Sequence, residues 1–131
     1  MRIIFKPGDT KVYTKKVTMN DAVNFHGEVL HPVYATFALA RDIEWSSRLF
    51  FLEMKEDDEE GVGTFLQIEH HSPAQIDEEV TITAKVESVT DNELICIIEA
   101  RSGNRIIATG KTGQKMLKKQ KLNKLFGHGR G

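Results

Sequence analysis

The chain has 131 residues, 40% of them apolar and 28% charged, with a formal net charge of −1 and a single cysteine. That size and balance suit one globular domain spanning residues 1–131, leave no room for a second, and speak against a dedicated nucleic-acid binder. The lone Cys96 excludes a disulfide within the chain, and neither a signal-like apolar stretch nor a run of ~20 apolar residues occurs, so a soluble cytoplasmic protein that does not cross a membrane is expected.

After the turn cluster Pro7-Gly8-Asp9, strand signals run over residues 11–17. Residues 32–54 contain no glycine and no further proline, and Pro32 suits a first helical turn, where its missing N–H has no intrahelical partner to lose. That predicts one long helix, ~34 Å at 1.5 Å per residue. Residues 55–60, KEDDEE, read as an acidic loop. Gly61 and Gly63 then introduce alternating segments; the clearest is residues 79–89, where Val80, Ile82, Ala84 and Val86 alternate with Thr81, Thr83, Lys85 and Glu87. Turns at 90–92 and 102–104 separate further strands at 93–101 and 105–117. One strand, one long helix and four strands fit an α+β architecture in which a curved antiparallel sheet wraps around one long central α-helix. From residue 115 the chain becomes a basic tail, with Lys118, Lys119, Lys121 and Lys124 and no acid, which either steers a phosphate-bearing ligand or is a solvated end.

Polar residues interrupt two apolar patterns. At ~100° per residue, Val33, Phe37, Ala40, Ile43, Ser47, Phe51 and Met54 form one helix stripe that faces the sheet, and Glu44 falls inside it, while Arg41, Asp42, Arg48 and Glu53 project elsewhere. An isolated carboxylate among apolar groups costs several kcal/mol unless it is paired or protonated, so Glu44 is a candidate for function. On the strand at 63–71, Thr64, Leu66, Ile68 and His70 share one face and Phe65, Gln67, Glu69 and His71 the other, which makes His70 the inward histidine. Thr36 sits in the first helical turn, where the free amides near Ala35 and Thr36 are ready donors to a developing oxyanion. His70 and His71 are adjacent and point apart, so no metal site is implied.

The order Val33-Tyr34-Ala35-Thr36, Glu44-Trp45, Gly63-Thr64 and His70, with spacings of eight and twenty-six between Thr36, Glu44 and His70, resembles the fluoroacetyl-CoA thioesterase family over roughly residues 32–110. The resemblance implies a hotdog fold, a homodimer or tetramer, and hydrolysis of a small acyl-CoA by a threonine, a glutamate and a histidine at Thr36, Glu44 and His70. Coenzyme A enters as part of the substrate, with no separate cofactor; Ala35, Lys118, Lys119 and Lys121 are candidates for oxyanion or coenzyme A contacts. The fluoroacetate-specific enzyme carries an aromatic lid where this chain reads His26-Gly27-Glu28-Val29-Leu30, which points to a different acyl group. Relatives often carry histidine and arginine where this chain reads Gly110-Lys111-Thr112-Gly113-Gln114.

The nucleophile, whether Thr36, Glu44 or water, stays open at this point. Two other readings remain: a hotdog acyl-CoA hydratase or dehydratase, which would move protons at carbon without releasing thiol, and a non-catalytic acyl-CoA-binding module. Tyr34, Trp45, Leu49 and Leu52 form a second apolar band that a dimer would cover.

Overall fold

The computed structural model describes residues 1–25 and 28–127. In chain order it contains β1 (Thr10–Lys16), a 3-10 turn (Met19–Asp21), β2 (Ala22–Phe25), β3 (Glu28–Tyr34), α1 (Thr36–Met54), β4 (Glu59–His70), β5 (Glu79–Thr90), β6 (Glu93–Ser102), β7 (Arg105–Lys118) and α2 (Lys119–Gly127). Among the described residues, five strands form an antiparallel sheet in the order β1-β5-β6-β7-β4, and β2 pairs with β3 in a separate ribbon. The sheet curves around α1, whose Leu39, Ile43, Phe50, Phe51 and Met54 pack on Val80, Ile82, Leu94, Cys96, Ile98 and Ile107. The alternation expected in β5 appears as the buried series Val80, Ile82, Ala84 and Val86. The turns at 90–92 and 102–104 close the β5–β6 and β6–β7 hairpins.

Several expectations are corrected. The helix begins at Thr36, not Pro32, which lies in β3. Pro32 falls where the β2–β3 register shifts between Ala22 and Val23, and a bulge tolerates a residue with no N–H, so its fitness for a first helical turn does not decide its place. The ribbon β2–β3 and the terminal helix α2 were not expected. Residues 115–118 of the basic tail belong to β7 and 119–127 to α2, while 128–131 lie outside the described residues. Glu59 and Glu60 leave the acidic loop for β4.

The buried face of α1 is also rotated from the expected stripe. Phe37 is 60% exposed, Val33 precedes the helix, and Ala38, Leu39, Ser46 and Phe50 take the inner positions. Glu44 therefore sits half-buried at the border of this face. Asp42, expected outside, is buried, and Tyr34 leaves the second apolar band because its hydroxyl donates to the Asp42 carboxylate. The two polar groups satisfy one another, which removes the usual objection to burying them. Trp45 and Leu52 remain on the surface.

Glycine sets the closeness of helix and sheet at one point. A Cβ on Gly61 would stand 2.6 Å from the Phe51 ring, so only glycine lets α1 approach β4 there. The ladder between β4 and β7 then shifts register between Gly63 and Phe65. Gly63 pairs with Gln114, Leu66 with Thr112 and His70 with Ala108, so directly opposed residues share the inner face. Strict alternation had put Gly63 on the face away from His70; the bulge at Thr64 brings both to the side of α1.

Candidate active site

The start of α1 is held by a compact charge cluster. The N–H of Ala35 donates to the Asp21 carbonyl at 2.7 Å, and Leu39 N–H makes the first intrahelical bond, to Ala35 O, at 2.9 Å. The amide of Ala35 is thus already used, which removes it from the expected oxyanion site. The amides of Thr36, Phe37 and Ala38 are the first-turn donors that have no intrahelical acceptor, and Ala35 supplies no side-chain cap.

The Asp21 carboxylate accepts from the Thr18 amide at 2.8 Å and from Arg41 at 2.9 Å, with Lys15 Nζ also at 2.8 Å. Lys15 and Arg41 reach Asp42 as well, at 3.3 and 3.1 Å. Burial opposes ionisation of Asp21, but Lys15, the Thr18 amide and Arg41 outweigh it and hold its carboxyl at about 2. Two acids and two bases in contact satisfy one another, so the cluster is an anchor for the helix start rather than an anion site.

Thr36 and His70 meet at this end of the helix. Thr36 Oγ1 lies 3.1 Å from His70 Nδ1. Burial of the imidazole pulls its pKa below the ordinary 6.5, with the neighbouring His71 adding to the shift, so the ring is neutral at pH 7. His70 Nε2 is buried with no partner among the described residues. His71 points the other way, to Thr109 Oγ1 at 2.8 Å. A neutral imidazole against a hydroxyl is the arrangement of a nucleophile and its base. Beside Thr36 opens an apolar cavity of about 550 Å³ lined by Val23, Ala35, Thr36, Phe37 and Ala40.

Glu44 is elsewhere. Its carboxylate lies over Gly63, where a Cβ would stand 2.4 Å from Oε1. Gly63 precedes His70 by seven strand positions, ~23 Å at ~3.3 Å per residue, so one chain does not bring Glu44 to the Thr36–His70 pair. Nor does it bring the candidate lysines there. Lys118 pairs with Asp58 at 3.1 Å, and the exposed Lys119 and Lys121 lie on α2 beside the start of β4. Gln114, buried on β7 against the turn that carries Glu44, was not among the sequence candidates: a polar side chain facing inward from a strand carries a signal only once the helix above it is placed. Of the stretch His26-Gly27-Glu28-Val29-Leu30, His26 and Gly27 lie outside the described residues. Among the described residues, no group of three or more His, Cys, Asp or Glu side chains could hold a metal ion, and no helix is long and apolar enough to cross a membrane.

A model of the fluoroacetyl-CoA-specific thioesterase family matches residues 17–120. The chain belongs to this family. As a family member it closely resembles, at TM-score 0.91 and 30% identity, a hypothetical protein of Thermus thermophilus described as a thioesterase superfamily member; the match covers 99% of this chain and 96% of that one. The fluoroacetyl-CoA thioesterase FlK itself is similar at TM-score 0.87 and 20% identity, over 95% of this chain and 96% of that chain. A hot-dog-like protein from Thermanaerovibrio acidaminovorans is similar at TM-score 0.88 and 21% identity, over 97% and 94%. No curated protein sequence matches. The five-stranded sheet around α1 is therefore the hotdog fold, and this thioesterase-family chain carries its threonine–histidine contact at the uncapped end of the central helix.

Proposed function

We propose that this protein hydrolyses the thioester of a small acyl-CoA, with Thr36, His70 and Glu44 as its working residues and two composite sites in a homodimer. The observation that carries the reading is the 3.1 Å contact of Thr36 Oγ1 with His70 Nδ1 at the helix start. Thr36 Oγ1 attacks the acyl carbon and its proton passes to His70. The carbonyl oxygen, now negative, accepts from the first-turn amides of α1. The carbon–sulfur bond breaks, and the coenzyme A thiolate leaves with the proton from His70. Water then hydrolyses the acyl-threonine, its proton taken by His70, to release the free acid and restore Thr36. The apolar cavity beside Thr36 suits the acyl group.

A second protomer supplies Glu44. β4 is an edge strand with Phe65 and Leu66 45% and 43% exposed, the kind of edge that a partner strand covers. Antiparallel pairing of two β4 strands about an axis between Leu66 and Gln67 sets Gly63 of one protomer, and with it Glu44, across from His70 of its partner. There Glu44 orients the hydrolytic water. The same pairing carries α2, with Lys119 and Lys121, towards the partner's site, where coenzyme A phosphates would lie.

Thiol release measured over short, branched and aromatic acyl-CoAs tests the activity. Rapid-quench mass spectrometry, looking for an acyl group on the Thr36 peptide, tests the route. Release with no acyl-threonine would leave Thr36 polarising the carbonyl and His70 acting on water. Turnover of none of the thioesters would leave a binding module, and proton exchange at carbon without thiol release a hydratase.

A further inference from the structure

The Glu44 carboxylate projects from the middle of a helix that could rock on the sheet. Among the described residues, one side chain of the sheet bonds the backbone of α1 at this turn, between the ion pairs that Lys15 makes with Asp42 and Glu60 with Arg48. Gln114, wholly buried on β7, donates from Nε2 to the Glu44 carbonyl at 3.1 Å and to Ser47 Oγ at 2.8 Å. Ser47 in turn donates to the same Glu44 carbonyl at 2.9 Å. Gln114 Oε1 has no partner among the described residues, so the amide takes its direction from α1 alone. Its strand partner across the ladder is Gly63, the residue over which the Glu44 carboxylate lies. Adjacent strands thus meet the two ends of one residue: β7 bonds its backbone carbonyl, and β4 passes beneath its carboxylate at Gly63.

We propose that Gln114 is a positioning residue for the thioesterase reaction, setting the height and rotation of the α1 turn that presents Glu44. The inference rests on Glu44 being the working carboxylate. A buried amide that donates twice to a single helical turn fixes that turn more tightly than apolar packing does, because hydrogen bonds are directional and packing is not. A displacement of ~1 Å at a reacting group costs up to ~100-fold in rate.

The test is a double-mutant cycle on the full-length protein. Gln114→Met keeps the volume and removes both donors; Gln114→Leu serves if the first variant does not fold. Turnover should fall ~10- to 100-fold with KM within about twofold, in a protein whose circular dichroism remains native. In the Glu44→Gln background the same change should have no further effect on turnover, because the group it positions is gone. Equal losses in both backgrounds, or unchanged turnover in the wild-type background, would overturn the proposal and leave Gln114 a packing residue. Where residual Glu44→Gln activity is too low to read, the split between turnover and KM decides. Full activity in Glu44→Gln alone would instead overturn the assignment of Glu44, which separates the two failures.

Discussion

His70 Nδ1 stands 3.1 Å from Thr36 Oγ1, although thirty-four residues separate them in the chain. The adjacent His71 faces the opposite side of the sheet and bonds to Thr109. His70→Ala should lower thiol release by at least ~100-fold, the usual scale for loss of a general base, while His71→Ala stays within about twofold. The reverse pattern in steady-state kinetics would show that the wrong histidine had been assigned to the reaction.

The half-buried imidazole also sets a pH dependence. With its pKa below 6.5, His70 stays neutral until the pH falls under the ordinary histidine value, so kcat/KM should hold level above pH 6.5 and decline on an acid limb below it. The sign for stability is the same. Below pH 6.5 the unfolded chain binds a proton that the folded one resists, so this group favours the unfolded state progressively as the pH falls. In His70→Gln the acid limb should disappear from the residual rate, and a limb that persists unchanged would assign it to another group.

Two neighbouring inward glycines separate chemistry from packing. A Cβ at Gly63 would meet the end of the Glu44 side chain at 2.4 Å, and one at Gly61 would meet the buried Phe51 ring at 2.6 Å. Gly63→Ala should displace a carboxylate that has room to move, with a turnover loss of ~10-fold or more and little change in Tm. Gly61→Ala overpacks the core and should cost ~1–3 kcal/mol of stability. Thermal unfolding measured beside turnover for both variants checks the contrast, which fails if both lose stability equally.

Thr36 and Glu44 stand eight residues apart on one helix, ~12 Å along its axis at 1.5 Å per residue. In a composite site, mixing inactive Thr36→Ala chains with inactive Glu44→Ala chains should restore activity, because one of the two sites in each mixed dimer carries both wild-type residues. Recovery towards half of the wild-type rate per mixed dimer is expected after subunit exchange. A fully active monomer at assay concentration would exclude the arrangement.

Lys119 and Lys121 are exposed on α2, whereas the charge of Lys118 is engaged by Asp58. Lys119→Ala with Lys121→Ala should raise KM for acyl-CoA and flatten its salt dependence at unchanged kcat, since exposed charges act through a field screened over ~8 Å at physiological salt. An unaltered KM at low salt would make α2 a solvated end.

Local patterns carried much of the fold: the absence of glycine and proline marked the long helix, and alternation marked the later strands and the inward direction of His70, because each depends on neighbours along one element. Val80, Ile82, Ala84 and Val86 announce their strand without help from any distant residue. Three features around the site were decided only by tertiary structure. The bulge after Gly63 arises from register with β7 and overrides strict alternation. The Ala35 amide is taken by Asp21, fourteen residues earlier, so the amides left free at the helix start begin one residue further in, at Thr36. The turn bearing Glu44 is held by Gln114, seventy residues later. No local pattern encodes these, because each is a hydrogen bond or a register between segments whose relative position exists only once the sheet has closed around the helix.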